Sequence, residues 1–296
     1  IPIGAESSFE GIIDLIEMKA FYFDQVEEGA HWREEPIPQA MHDHAEVARH
    51  DMIEAVAECD DALMDAYLRD LPVSEDMLRR CLRKGTVEGK ICPVLTGSAL
   101  RNIGIRRLLN AVCDFLPSPL DRPPAVGYKG GKEDQKIDVL PDAGKPFVGL
   151  AFKITSDKHG DLYFLRIYRG TLVKGSRVLN INRDRKENVT RIFQMHADDR
   201  QLLDKAEAGD IVAVVGLRET LTGDTLTDTR NPVRLENITF PETVISMSIE
   251  PKSAAERNKL GEALRILRKE DPTFEHTFNE ETGQTLISGM GELNLE

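Results

Sequence analysis

The chain has 296 residues, 41% of them hydrophobic and 30% charged, with a formal net charge of −13. Two or three ordinary domains fit that length, and the longest apolar run, Ile211 to Val215, is far too short to cross a bilayer. Cys59, Cys81, Cys92 and Cys113 are spaced too widely for a zinc ribbon or a redox pair, which predicts an intracellular protein with buried free thiols.

The charge is uneven. Between Asp24 and Asp76 stand sixteen acidic and three basic residues, so this stretch alone carries a net charge of −13 and the remainder balances. A concentrated acidic patch repels nucleic acid and suits either plain solvation or a basic protein partner.

In chain order, residues 1–90 open with Phe9 to Ile16 and a strand candidate at Lys19–Phe23. A long helix is expected after Pro38, with Met52, Val56, Cys59 and Leu63 on one apolar face. A second helix is capped by Ser74, favoured at its start by Glu75 and Asp76, and ended by Arg83, Lys84 and Gly85. Residues 91–120 give a short strand, Ile91 to Leu95, then a turn through Thr96-Gly97-Ser98-Ala99-Leu100. A helix follows, with Ile105, Leu108, Leu109, Val112 and Leu116 as its buried face and Pro117 and Pro119 as its stop. Residues 121–144, rich in Pro, Gly and charge, read as a linker.

Residues 145–232 are all-β in character. A strand through Leu162, Phe164 and Ile167-Tyr168 turns at Gly170, and Gly175, Gly209, Gly216 and Gly223 punctuate the rest, which predicts a small closed barrel. Residues 233–296 return to mixed structure. A period-2 strand spans Val244 to Glu250, Ser253 to Glu256 is a capping box, and Leu260, Ala263, Leu264 and Leu267 share a helical face. A hairpin around Glu281-Thr282-Gly283-Gln284 completes β-α-β-β, a ferredoxin-like half whose last helix and strand are cut off.

Among the chemistry-bearing residues, the Ser98-Ala99 step is of the kind that presents backbone N–H groups to a guanine carbonyl in GTPases. No G-x-x-x-x-G-K-[ST] occurs, and Gly127 to Lys132 has the wrong spacing and runs into Glu133. No Asn-Lys-x-Asp is present to read the guanine edge. One or two backbone hydrogen bonds contribute about 0.5–1.5 kcal/mol each, far below the roughly 8 kcal/mol of micromolar affinity. The chain starts at Ile1 and stops at Glu296 within an apolar pattern, so a piece of a longer protein is expected. Arg183, Arg185, Lys186 and Arg191 form a basic cluster suited to RNA phosphates or to plain solvation. His42, His44 and His50 lie on the acidic helix, and His42 with His44 lacks the i, i+4 spacing of a metal pair. Ser98 has no nucleophile elbow around it, and no catalytic residue is expected.

The ordered set of motifs resembles bacterial translation elongation factor G along essentially the whole chain. It comprises Phe9-x-Gly11-Ile12-Ile13-Asp14-Leu15, Gly97-Ser98-Ala99-Leu100-x-Asn102-x-Gly104 and Leu116-Pro117-Ser118-Pro119-Leu120. It continues with Arg166-x-Tyr168-x-Gly170-x-Leu172, Gly223-Asp224-Thr225-Leu226, Glu270-Asp271-Pro272-Thr273-Phe274, Glu281-Thr282-Gly283-Gln284-Thr285 and Ser288-Gly289-Met290-Gly291-Glu292-Leu293. The resemblance implies a multidomain α+β and β chain. Residues 1–90 would be a subdomain inserted in a GTPase α/β domain, and 91–120 that domain's last strand and helix. Residues 121–144 would be the linker, 145–232 the translation-factor β-barrel, and 233–296 a truncated ferredoxin-like third domain. It implies GTP, GDP and magnesium in the parent, with Ser98, Ala99 and Leu100 at the guanine base and nothing bound to this piece. The implied partners are ribosomal RNA, ribosomal proteins including the stalk, the tRNA–mRNA complex indirectly, and ribosome recycling factor, in the cytoplasm and away from membranes. The implied role is translocation or ribosome recycling; a non-catalytic ribosome-binding module is the alternative. Asn294 stands where the family has His, and Asp157-Lys158-His159-Gly160 replaces a longer loop.

Overall fold

The computed structural model describes residues 1–23, 31–157, 160–197, 199–251, 253–280 and 282–295, and the chain forms two compact units, Ile1–Arg122 and Pro123–Glu296. Lys158 and His159 of the replaced loop lie outside the described residues, as does the side chain of Asn294. No helix among the described residues is long and apolar enough to cross a membrane.

The first unit opens with an antiparallel sheet of β1 (Pro2–Ile3), β2 (Gly11–Asp14), β3 (Lys19–Phe23) and β4 (Trp32–Glu35) in that order. Both of its faces are buried. Register sets Ile12 opposite Phe21 and Ile13 opposite Ala20. Ile12 and Phe21 join Phe9, Phe23 and Ile103, while Ile13 and Ala20 join Ile3 and Ala45.

Helices α1 (Gln39–Ala57), α2 (Asp61–Leu68) and α3 (Glu75–Val87) follow. The single long helix expected after Pro38 is in fact two. Asp60 is extended, its carboxylate accepts from Ala62 N at 3.1 Å and Leu63 N at 3.3 Å, and it thereby ends one helix and caps the next. Val56 and Leu63 still meet in one core with Leu78, Cys81, Leu82 and Phe115. Ser74 caps α3 as expected, accepting from Met77 N at 3.3 Å. Gly85, expected as the stop, lies within the helix, where a Cβ would sit 2.8–2.9 Å from Ile91 and Cys59. The helix instead turns at Gly89, φ +71°.

Three expectations for the first unit need correction. Ile91 to Leu95 is not a strand, because no neighbouring strand among the described residues offers it a ladder. On α4 (Ile105–Phe115), Leu108, Leu109 and Val112 are exposed, as is Leu116 just beyond it, and Phe115 supplies the buried contact. Of the thiols, Cys59 and Cys81 are buried but Cys92 and Cys113 are exposed.

An ionic knot ties α3 and α4 to the sheet end. Arg107 reaches Asp14 at 2.5 Å and Glu17 at 2.6 Å, and its guanidinium lies 3.7 Å from the centre of the Phe21 ring. Arg79 reaches the same Glu17 at 2.9 Å. These groups, with Met52, Val56 and Phe115, border a cavity of about 670 Å³.

In the second unit, the stretch expected as a linker is folded. Strands β5 (Ala125–Lys129) and β6 (Lys136–Val139) pair with each other and, through β5, with β17 (Val233–Leu235), burying Val139, Val233 and Leu235 against Val148 and Leu150. The intervening elements are β7 (Val148–Asp157), β8 (Gly160–Arg169), β9 (Thr171–Val173), β10 (Arg177–Asn180), β11 (Arg185–Asn188), β12 (Arg191–His196), β13 (Asp199–Leu203), β14 (Lys205–Glu207), β15 (Ile211–Val215) and β16 (Thr225–Thr227). Eight of them form one antiparallel sheet, ordered β11-β10-β16-β7-β8-β15-β12-β13, and β9 pairs with β14. They curl around a core of Tyr163, Leu165, Ile167, Leu172, Val178, Ile192, Val212, Val214 and Leu226, giving a barrel-like body. Gly170 makes its turn at φ +78°, and a Cβ there would lie 2.5–2.6 Å from backbone atoms of Lys145 and Phe147. Only glycine fits.

The last body is β18 (Ile245–Ile249), α5 (Ala254–Glu270), β19 (Glu275–Asn279), β20 (Gln284–Gly289) and the short α6 (Glu292–Leu295). Its sheet order, β18-β20-β19, is that of a split β-α-β-β unit. Leu264 of α5 packs on Phe274 and Ile287. Ser253 stands at the helix start, but its side chain makes no cap hydrogen bond, so the expected capping box is not formed.

The end of α5 docks on the barrel. The Lys269 ammonium pairs with Asp161 and lies 4.9 Å from the Tyr163 ring centre, and the Glu270 carboxylate accepts from Ser156 N. Burial pulls the Lys269 pKa down, but the hydrogen bonds to Asp161 and Tyr163 outweigh it and raise it. A raised lysine pKa stabilises below the unfolded value, and that contribution is lost as pH rises through the folded one. Lys269→Met is expected to leave the barrel intact while amides of α5 exchange faster. Unchanged α5 exchange would mean that the pair does not hold this contact.

Candidate functional site

The expected guanine turn is built by a tight backbone crossing. Ser98 N donates to Ile103 O at 2.9 Å and Ile103 N to Ser98 O at 3.0 Å, closing residues 98–103 into a loop. Asn102 sits at φ +53° and Gly104 at φ +78°. Gly104 is forced, since a Cβ there would meet Thr96 O at 3.0 Å and Gly97 Cα at 3.4 Å. Within the loop, Arg101 N and Asn102 N bond back to Ser98 O and Ala99 O at 3.2 Å.

The three predicted contact residues therefore part company. The Ser98 N–H is spent on Ile103. Ala99 and Leu100 are exposed, Leu100 by 94%, and their N–H groups have no backbone acceptor among the described residues. Two adjacent donors remain to meet a carbonyl.

The basic cluster also divides. Arg183 turns inward, its Nε 2.7 Å from Asp224 Oδ2. Asp224 is buried and also accepts from Asn180 Nδ2 at 2.9 Å and Leu221 N at 2.8 Å. Asn180 reaches Thr220 Oγ1 at 3.2 Å, and Thr220 donates to the buried Glu187, which further accepts from Arg218 N and from Glu219 N at 3.1 Å. This polar network pins residues 217–224 to β10 and β11. Arg185 and Lys186 remain exposed and border a cleft of about 550 Å³ together with Arg218. Arg191 stands apart at the start of β12, outside that cleft. Sequence reasoning misses Arg218, because its approach to β11 depends on a turn about thirty residues downstream.

The histidines form no enclosed site among the described residues. His42 Nδ1 lies 3.5 Å from Glu46 one turn on, both exposed, and His50 bonds the Tyr67 hydroxyl at 3.2 Å. The ligand atoms of His42, Asp43 and Glu46 fall within 4.8 Å of one another on open surface.

Two family models match the second unit. The model for Elongation factor Tu domain 2 matches residues 160–227, the core of the barrel, and that for Elongation Factor G, domain III matches residues 240–296. The chain is built from translation elongation factor domains of the G/Tu type. A crystal structure from Thermus thermophilus superposes on all of it with a TM-score of 0.77 and 27% identity, and the chain spans 41% of that protein. In the elongation factor domains, Asp224 belongs to the Gly223-Asp224-Thr225-Leu226 motif, and its three hydrogen bonds supply a physical reason for a carboxylate there. Glu270, in another of the family-like motifs, is the group that accepts from the barrel at Ser156.

Proposed function

We propose that this chain is the middle of a ribosomal translocation factor, whose intact form hydrolyses GTP in the cytoplasm to move tRNA and mRNA. The observation that supports it is the succession of a Tu-type barrel and a G-type third domain in one chain, behind a Ser-Ala turn with two available N–H groups. At the turn, Ala99 and Leu100 N–H would donate to the guanine carbonyl, while Ser98 holds the loop closed. The fit ends with the base. The sequence supplies no phosphate loop, so these residues offer neither a cradle for the triphosphate nor a ligand set for magnesium. Chemistry in the parent falls to groups other than these. The chain contributes orientation of the base edge and the surfaces of the barrel and third domain, with ribosomal RNA, ribosomal proteins and the stalk as partners. A role in splitting ribosomes with a recycling factor would use the same surfaces.

The purified chain is expected to co-sediment with ribosomes and to leave GTP unhydrolysed above background. Nucleotide turnover would overturn the assignment of an inert middle, and absence from the ribosomal pellet would overturn the ribosome reading.

A further inference from the structure

One face of the eight-stranded sheet lines the barrel core; the outward face is aromatic and cationic. Cross-strand register sets Lys153 beside Phe164, Phe164 beside Ala213, Ala213 beside Phe193 and Phe193 beside Leu202, a continuous row across five strands. A bulge in β7 between Ala151 and Lys153 adds Phe152 to this face, its ring 6.4 Å from that of Phe164 and tilted by 55°. Such bulges re-aim side chains. Phe152 remains 37% exposed, Leu202 50% and Ile211 55%, and Ala213 between the aromatic strands keeps the centre of the row shallow.

Cations flank the rings. The Lys153 ammonium lies 5.9 Å from the Phe164 ring centre, Arg166 lies opposite Ile211 on one side of the row, and Arg191 lies opposite Val215 on the other. None of these three has a carboxylate within ion-pair distance among the described residues. The outward positions that form the row and its flanks in β7, β8, β12 and β15 carry no acidic residue. The chain's net negative charge arises at residues 24–76, in the other unit.

We propose that this face binds single-stranded nucleic acid, with bases stacked on Phe152 and Phe164 and phosphates met by Lys153, Arg166 and Arg191. Exposed rings select a strand whose bases are free to stack, and unpaired cations select a polyanion; the two together favour a single strand over a duplex or an acidic peptide. The inference rests on the barrel alone and stands apart from the ribosome reading.

The test is fluorescence anisotropy of the whole chain with a labelled oligouridylate of about twelve nucleotides, within the range of known single-strand site sizes, its duplex counterpart and a glutamate-rich peptide of equal charge. Preferential binding of the single strand is expected, with a slope of log affinity against log salt of about −2 for three phosphates. Phe152→Ala, on an exposed bulge, weakens it roughly 5- to 100-fold, and Lys153→Met reduces the slope by about 0.7. Circular dichroism of each variant confirms that the barrel is folded. No binding, equal binding of the duplex with no effect of Phe152→Ala, or tighter binding of the acidic peptide would overturn it.

Discussion

Replacing Asp224 by alanine is expected to destabilise the second unit by about 3–5 kcal/mol, the usual cost of removing one partner from a buried charged network. The carboxylate is 6% exposed by residue and accepts from Arg183 Nε, Asn180 Nδ2 and Leu221 N. Its loss strands all three donors, and each unsatisfied buried donor costs about 1–3 kcal/mol. Asp224→Asn keeps one acceptor oxygen and the volume, so a smaller loss is expected. The measurement is urea unfolding followed by tyrosine emission and circular dichroism. The single tryptophan, Trp32, lies in the first unit and serves as an internal control. A loss under about 1 kcal/mol would show that the loop relaxes to let water replace the carboxylate.

The second large effect is expected for Arg107→Met in the first unit. Its guanidinium serves Asp14 and Glu17 together, and each of the three side chains is about one-fifth exposed. Partial exposure softens the penalty relative to a fully buried pair, so about 2–3 kcal/mol is expected. The pH dependence supplies a second readout. Burial pushes the Asp14 carboxyl up, but Arg107 and the N–H groups of Glu17 and Ile16 outweigh it and hold it below its ordinary value. A depressed carboxyl stabilises above the unfolded pKa of about 3.9 and loses that contribution as pH falls through the folded one. The parent chain should therefore lose stability in that acidic window, and Arg107→Met should lose less there. Equal slopes for the two proteins would remove Arg107 as the cause.

Local chemistry is readable where one short segment decides the outcome. Ser74 caps α3, Gly170 turns β8, and the hairpin over 275–289 follows its own alternation and turn residues. Where the outcome depends on distant partners, pattern alone misleads. Residues 125–139 look like linker because Pro, Gly and charge dominate, yet β17, about a hundred residues later, gives β5 a ladder partner. The apolar stripe of α4 has the period of a buried face, but nothing among the described residues covers it. Asp60 is one acidic residue among many in its stretch, and only the fold shows that it divides two helices. At the site, Ser98 and Ala99 are identifiable as a turn, whereas the engagement of Ser98 N–H by Ile103 depends on a crossing that spacing does not reveal. Arg183 reads like its cationic neighbours, and only the folded chain brings Asp224 to claim it.

The sheet margins have one more consequence. The two outermost strands of the eight-stranded sheet, β11 and β13, read Arg-Lys-Glu-Asn and Asp-Arg-Gln-Leu-Leu. Charged side chains there discourage a second molecule from adding a strand. The margin of the last sheet is different: β18 reads Ile-Ser-Met-Ser-Ile, without a charge or a proline, and pairs with β20 along one side only. Fibril growth by cross-β stacking needs such a neutral, extended rim. In a concentrated solution of this chain, β18 is where one molecule would template the next, and the barrel would be carried along still folded.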